Sequence, residues 1–74
     1  MRNPKRFKRV IAAYKADPTI ADGLPDILRE LLDLHYTKNM RWREVADAMY
    51  YSVENIYRLR VTALERLEVI INGK

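Results

Sequence analysis

Apolar side chains recur along this chain in helical registers. Between Lys5 and Ala16, Phe7, Val10, Ile11 and Tyr14 fall at i, i+3, i+4 and i+7, the stripe of an amphipathic helix whose other side is almost entirely basic. Asp17-Pro18 stops that helix, and the stretch to Pro25, with Gly23, reads as a connector anchored by Ile20. From Asp26 to about Thr37, Ile27, Leu28, Leu31, Leu32 and Leu34 form a second stripe behind an acidic face of Asp26, Glu30 and Asp33. A third, short helix carries Val45, Ala46 and Met49 on one side. The last is expected to begin after Ser52 and run to about Asn72, with Ile56, Leu59 and Ala63 inward and Leu64, Leu67, Ile70 and Ile71 beyond.

The two helices around Tyr50-Tyr51-Ser52 are the most informative pair. Three residues make only a turn, and Ser52 is placed to cap the helix that follows. Helices joined this tightly must cross steeply, and the small Ala46 lets them approach. That is the pattern of a helix-turn-helix, with Val53, Glu54, Tyr57, Arg58 and Val61 on the outer side of its second helix, free to enter a major groove. A helical hairpin without a DNA role is the bland alternative.

Leu24 to Leu67, 44 of the 74 residues, resembles region 4 of bacterial sigma factors without a gap. The landmarks are Leu24-Pro25, the set Leu31, Leu32, Leu34 and Tyr36, the run Glu44-Val45-Ala46, Ser52, and Ala63-Leu64 with Leu67. WREVA, YYS and IYRL look most like the small regulators of this type encoded by phages and prophages of Gram-positive bacteria. The sequence departs from the family twice. Tyr50 stands where glycine is usual, at a turn position that tends to positive φ, so either Tyr50 is strained or the turn differs locally. Arg41 stands where the family has a capping Ser or Thr; lacking an acceptor, it suggests a helix start further back, at Asn39.

The apolar stripes and the resemblance together imply an all-α fold in two parts. Residues 1–23 form a basic amphipathic helix and connector, and residues 24–74 a sigma-region-4-like helix-turn-helix domain with an extended C-terminal helix. The resemblance implies a sequence-specific double-stranded DNA-binding transcription regulator, with base reading at the positions of Val53, Glu54 and Arg58. Glu54 can accept from a cytosine amino group, Arg58 can grip a guanine edge, and Val53 offers apolar contact such as to a thymine methyl. Val53 and Arg58 differ from the usual family residues, so the site read should differ from that of a housekeeping sigma factor. Arg41, Arg43, Tyr57 and Arg60 are the expected backbone contacts. The acidic second helix corresponds to one that in sigma factors contacts the RNA polymerase β flap. Two alternatives stand beside this: a module that grips RNA polymerase or a sigma factor without DNA, and a DNA-packaging component of the terminase small-subunit kind.

Composition narrows the field. The 74 residues allow one small domain, and 49% hydrophobic content with two Gly fits a helical globule. There is no Cys for a disulfide or thiolate metal site, and no apolar run approaches a membrane span. The lysine-rich start lacks the apolar core of a signal peptide, so a cytoplasmic home is expected. The net charge of +4 is unevenly spread: residues 1–16 carry six Lys/Arg and no acid, whereas residues 17–74 carry eight against ten Asp/Glu. The basic balance therefore comes from the arm, with Lys5, Arg6, Lys8 and Arg9 expected along phosphates while the apolar stripe docks on the core, a free arm or a partner-binding helix being the alternative.

No enzyme or cofactor signature appears: no glycine-rich phosphate loop, a single histidine, and no Ser in a nucleophile motif. His35, at a helix end beside Tyr36, is expected to make a local contact, and Trp42 to be core. Tyr51 should point inward and Tyr50 outward. Arg43 with Asp47, and Glu54 with Arg58, are spaced as i, i+4 ion pairs. Leu64, Leu67, Ile70 and Ile71 either cover Phe7, Val10 and Ile11 or form a homodimer seam that sets two recognition helices on two half-sites.

Overall fold

The computed structural model describes residues 4–73, with side chains from residue 6 onward. Four α-helices make up the described chain: α1 Lys8–Ala16, α2 Asp26–Leu32, α3 Trp42–Met49 and α4 Val53–Asn72. A 3-10 turn, Pro4–Phe7, leads into α1, and a second, Pro18–Ala21, fills the connector to α2. Among the described residues there is no strand, and no helix is long and apolar enough to cross a membrane.

The core follows the stripes. Leu31, Leu32, Val45, Ile56, Leu64 and Leu67 are the largest fully buried side chains, one or more from each of α2, α3 and α4. At about 1.5–3 kcal/mol for each large aliphatic side chain buried, these are the main favourable term in so small a domain. From α1, Phe7, Val10 and Tyr14 dock on this cluster, with Ala21 and Leu24 from the connector. The amphipathic helix is thus part of the domain body. α2, α3 and α1 all contact α4, whose 20 residues span about 30 Å and form the domain's axis.

Helix ends depart from the sequence expectation in three places. After Leu32 the chain continues to Thr37 as a single π-helical turn, Asp33–Thr37, in which Lys38 N–H donates to the Asp33 carbonyl at 3.0 Å. Asn39 does not start α3; it takes a left-handed φ of 61° in the loop before it. Arg41 occupies the N-cap, with extended backbone (φ −70°, ψ 154°). Its side chain has no acceptor, and the stabilising bond comes from the other direction: Glu44 Oε1 accepts the Arg41 N–H at 2.9 Å. Tyr50 ends α3 in the left-handed region (φ 62°, ψ 41°), so the turn keeps its geometry and the tyrosine bears the strain.

Burial corrects two further expectations. Tyr51 does not turn inward; it is 39% exposed, and Tyr50 is 94% exposed. Leu64 and Leu67 are fully buried within the chain's own core and have no surface to give a dimer seam. Of the apolar side chains in that region, only Val69 and Ile70 are exposed, with Ile71 partly covered.

Candidate nucleic-acid interface

The start of α4 is held firmly. Ser52 Oγ accepts the Asn55 N–H at 3.1 Å, capping the helix as its spacing predicts. One turn in, fully buried Ile56 pins the helix to the core, opposite Val45 and Ala46 of α3. Helical periodicity then leaves Glu54, Tyr57, Arg58 and Val61 on the free side, all exposed. Val53 differs from its neighbours: it is half-buried and packed on the core, so only part of it faces outward.

The Arg58 guanidinium does not bond Glu54. Its Nη1 donates to Asn55 Oδ1 at 3.3 Å, one turn back. Arg43 and Asp47 likewise form no ion pair among the described residues. Exposed pairs of this kind contribute at most about 1 kcal/mol, so going without them costs the fold little. Arg41, Arg43 and Arg58 are exposed and form no ion pair among the described residues.

Arg60 has a different setting. It is half-buried with its guanidinium carbon 5.6 Å from the Trp42 ring centroid, and its Nε has no hydrogen-bond partner. Trp42 is half-buried too; the His35 ring stacks on it at 3.7 Å between centroids and an interplanar angle of 14°. His35 Nδ1 lies 2.7 Å from the Met40 carbonyl, which can only accept, so Nδ1 carries the proton. Burial lowers the pKa of His35, and the charges of Arg60 and Lys15 lower it further against the raising effect of the Met40 bond. Tyr36 completes the aromatic cluster edge-on to Trp42 and to Tyr14 of α1.

The basic arm divides. Arg6 sits between Glu65 and Glu68 of α4, at 3.5 and 3.4 Å, with its guanidinium over Phe7. Arg9 lines the same groove as Glu68 and Asn72. Lys8 is exposed; the side chain of Lys5 and all of Arg2 lie outside the described residues. At the usual rise, Glu65 and Glu68 stand about 10 to 21 Å along α4 from Arg58 and Glu54. Lys15, at the other end of α1, lies beside His35 and Arg41.

No family model, curated protein or solved structure matches this chain. The interface rests on its own geometry. Among the described residues no three His, Asp or Glu side chains group as a metal site. The arrangement offers instead an exposed helix face that carries one carboxylate, Glu54, and one guanidinium, Arg58, beside Tyr57 and Val61.

Sequence reasoning named the α4 residues but missed the surroundings of Lys15, Asn39 and His35. Lys15 was counted only as one charge of the arm. Its place next to Tyr14, an inward position at the end of the α1 stripe, was the available signal that it projects beside whatever Tyr14 packs on.

Proposed function

We propose that the chain is a sequence-specific double-stranded DNA-binding transcription regulator of the sigma-region-4 type, in keeping with the resemblance to small phage and prophage regulators, and acting in the cytoplasm. The observation that carries this reading is the free face of α4. Glu54, Tyr57, Arg58 and Val61 project from a helix that follows a three-residue turn and is pinned by Ser52 and Ile56. An α-helix of this width fits a major groove, where Arg58 is suited to a guanine edge and Glu54 to a cytosine amino group. Tyr57 on that face and the exposed Arg41 and Arg43 at the start of α3 serve as phosphate contacts. The divided charge supports the same face, because Arg6 is already engaged by two carboxylates far along α4.

The test is selection of a preferred duplex from random sequences, followed by two substitutions. Arg58→Ala should weaken binding to the selected site by about 1–3 kcal/mol and relax preference at one base pair. Glu54→Ala should relax a neighbouring position. Wild-type binding and preference in both variants would reject α4 as the reader.

One observation favours a second reading. Tyr50 and Tyr51 form, with Asp26, Ile27, Glu30 and Met49, an exposed groove of aromatic, apolar and acidic side chains. Such a surface suits a protein partner, RNA polymerase among them. Absence of any sequence-selective duplex would leave that reading in place of the first.

A further inference from the structure

A second concave surface opens between the end of α1 and the connection from α2 to α3. Lys15, His35, Tyr36, Asn39, Met40 and Arg41 line it. It is an open groove of about 270 Å³, accessible to a tetrahedral oxyanion from solvent. No carboxylate belongs to the lining. Two acids lie close by in sequence: Asp33 pairs with Lys38 at 3.4 Å, and Glu44 accepts the Arg41 backbone N–H at 2.9 Å.

The lining is donor-rich. Lys15 and Arg41 are exposed cations on opposite sides of the sequence gap, one from α1 and one from the N-cap of α3. Neither forms an ion pair among the described residues. Asn39, held in the left-handed region, adds an exposed amide. The His35 ring is fixed by its stack on Trp42 and its bond to Met40, so its position in the wall is not free to vary. Arg60 lies behind, over Trp42, and adds positive potential to the groove without being exposed at it. Two cations lining one hollow whose wall holds no carboxylate attract an anion, and arginine's planar fork favours the oxygens of a phosphate.

We propose that this groove is a phosphate-binding site, with Lys15 and Arg41 as its cationic walls and Asn39 as a neutral donor. The phosphate belongs either to a DNA backbone, in which case the inference rests on the reading above, or to a free phosphorylated molecule. Lys15 then becomes the contribution of α1 to binding. It extends the interface from α3 and α4 to the helix that the sigma-type portion of the chain lacks.

Two measurements on the full chain separate these sources. Lys15→Gln, checked for folding by circular dichroism, should reduce the slope of log affinity against log salt on the selected duplex by about 0.9 while leaving base preference unchanged. Independently, inorganic phosphate titrated into the DNA-free protein at constant ionic strength should saturate. It should raise the His35 pKa, followed by its imidazole resonances, since a bound anion offsets the charges of Lys15 and Arg60; Lys15→Gln should abolish that response. A changed slope with no phosphate response assigns the groove to the DNA backbone. A phosphate response with an unchanged slope assigns it to a free phosphorylated ligand. If neither appears, with Arg41→Gln behaving like Lys15→Gln, the proposal is overturned, while loss of base preference in Arg58→Ala would still uphold the α4 reading. Should the wild type bind no duplex, the DNA reading falls and the phosphate titration alone decides the groove.

Discussion

Replacing Tyr50 by glycine should make this domain more stable. The residue sits at φ 62° and ψ 41°, where a side chain's Cβ crowds the following carbonyl. That conformation costs an L-residue about 1–2 kcal/mol, and glycine escapes it. The ring offers little in return from the folded state, because 94% of the residue is exposed. The backbone bonds that define the turn, from the Tyr50 and Tyr51 N–H groups to the carbonyls of Asp47 and Ala46, do not involve the side chain. Against the relief stands the greater freedom of glycine in the unfolded chain, about 0.5–1 kcal/mol. The difference leaves a gain of about 0–1.5 kcal/mol, centred on about 0.75 kcal/mol. With an unfolding entropy of about 2.1 cal/mol/K per residue, a chain of this length should melt about 5 °C higher at that central value. Thermal denaturation followed by circular dichroism provides the measurement, with Tyr50→Ala and Tyr50→Asn as companions. Alanine keeps the Cβ and should stay near the wild type, whereas asparagine, which tolerates this region, should fall between. A Tyr50→Gly protein that melts below the wild type would refute the argument from strain.

His35 should make stability pH-dependent in a definite direction. Its folded pKa lies below the ordinary 6.5, first through burial and then through Arg60 and Lys15, so the unfolded chain takes up a proton first as pH falls. The contribution is fully present above about pH 6.5 and is lost as pH falls from there through the folded value; denaturation midpoints at about pH 7.5 and about pH 5.5 should therefore differ less in His35→Gln than in the wild type, and equal differences would count against it. Leu67→Ala removes a fully buried side chain and should cost about 2–5 kcal/mol, a large share of the stability of so small a domain. Ile70→Ala, at a position 41% exposed, should cost far less in the folded monomer, and sedimentation of that variant tests whether the exposed Val69 and Ile70 pair two copies. Comparable losses of stability in urea would show that Leu67 is not where the core places it.

The helices were legible wherever period and punctuation agreed. Phe7, Val10 and Tyr14 reached the core because their spacing admits only one face, and α4 starts and ends where Ser52 and Asn72 were expected to bound it. The Leu64 and Leu67 stripe was ambiguous for a physical reason: an apolar helix face looks alike whether another helix of the chain or a second copy covers it. Here α1 and α2 leave no room for a second copy at those two residues. The turn geometry was hidden because it belongs to the backbone. Tyr50 adopts the conformation that glycine prefers, and Arg41 serves as an N-cap with Glu44 supplying the bond. Residue preferences at such positions are energies of about 1 kcal/mol, which packing of Val45 and Ala46 overrides. The π-helical turn after Leu32 left no mark in the apolar spacing.

Charge teaches the same lesson about position. Counted along the sequence, the first sixteen residues hold the whole basic excess and look like a single phosphate-binding arm. Folding splits that arm between two ends of α1. Arg6 meets Glu65 and Glu68 on the distant half of α4, where its charge is shared with carboxylates. Lys15 lines a groove with Arg41 and no acid, beside the aromatic cluster in which Trp42 meets Arg60 of α4. A charge already shared with two carboxylates gains less from a phosphate than one that is not, because the carboxylate contact must be given up. The salt dependence of binding should therefore track Lys15 more strongly than Arg6, even though both belong to the same basic run.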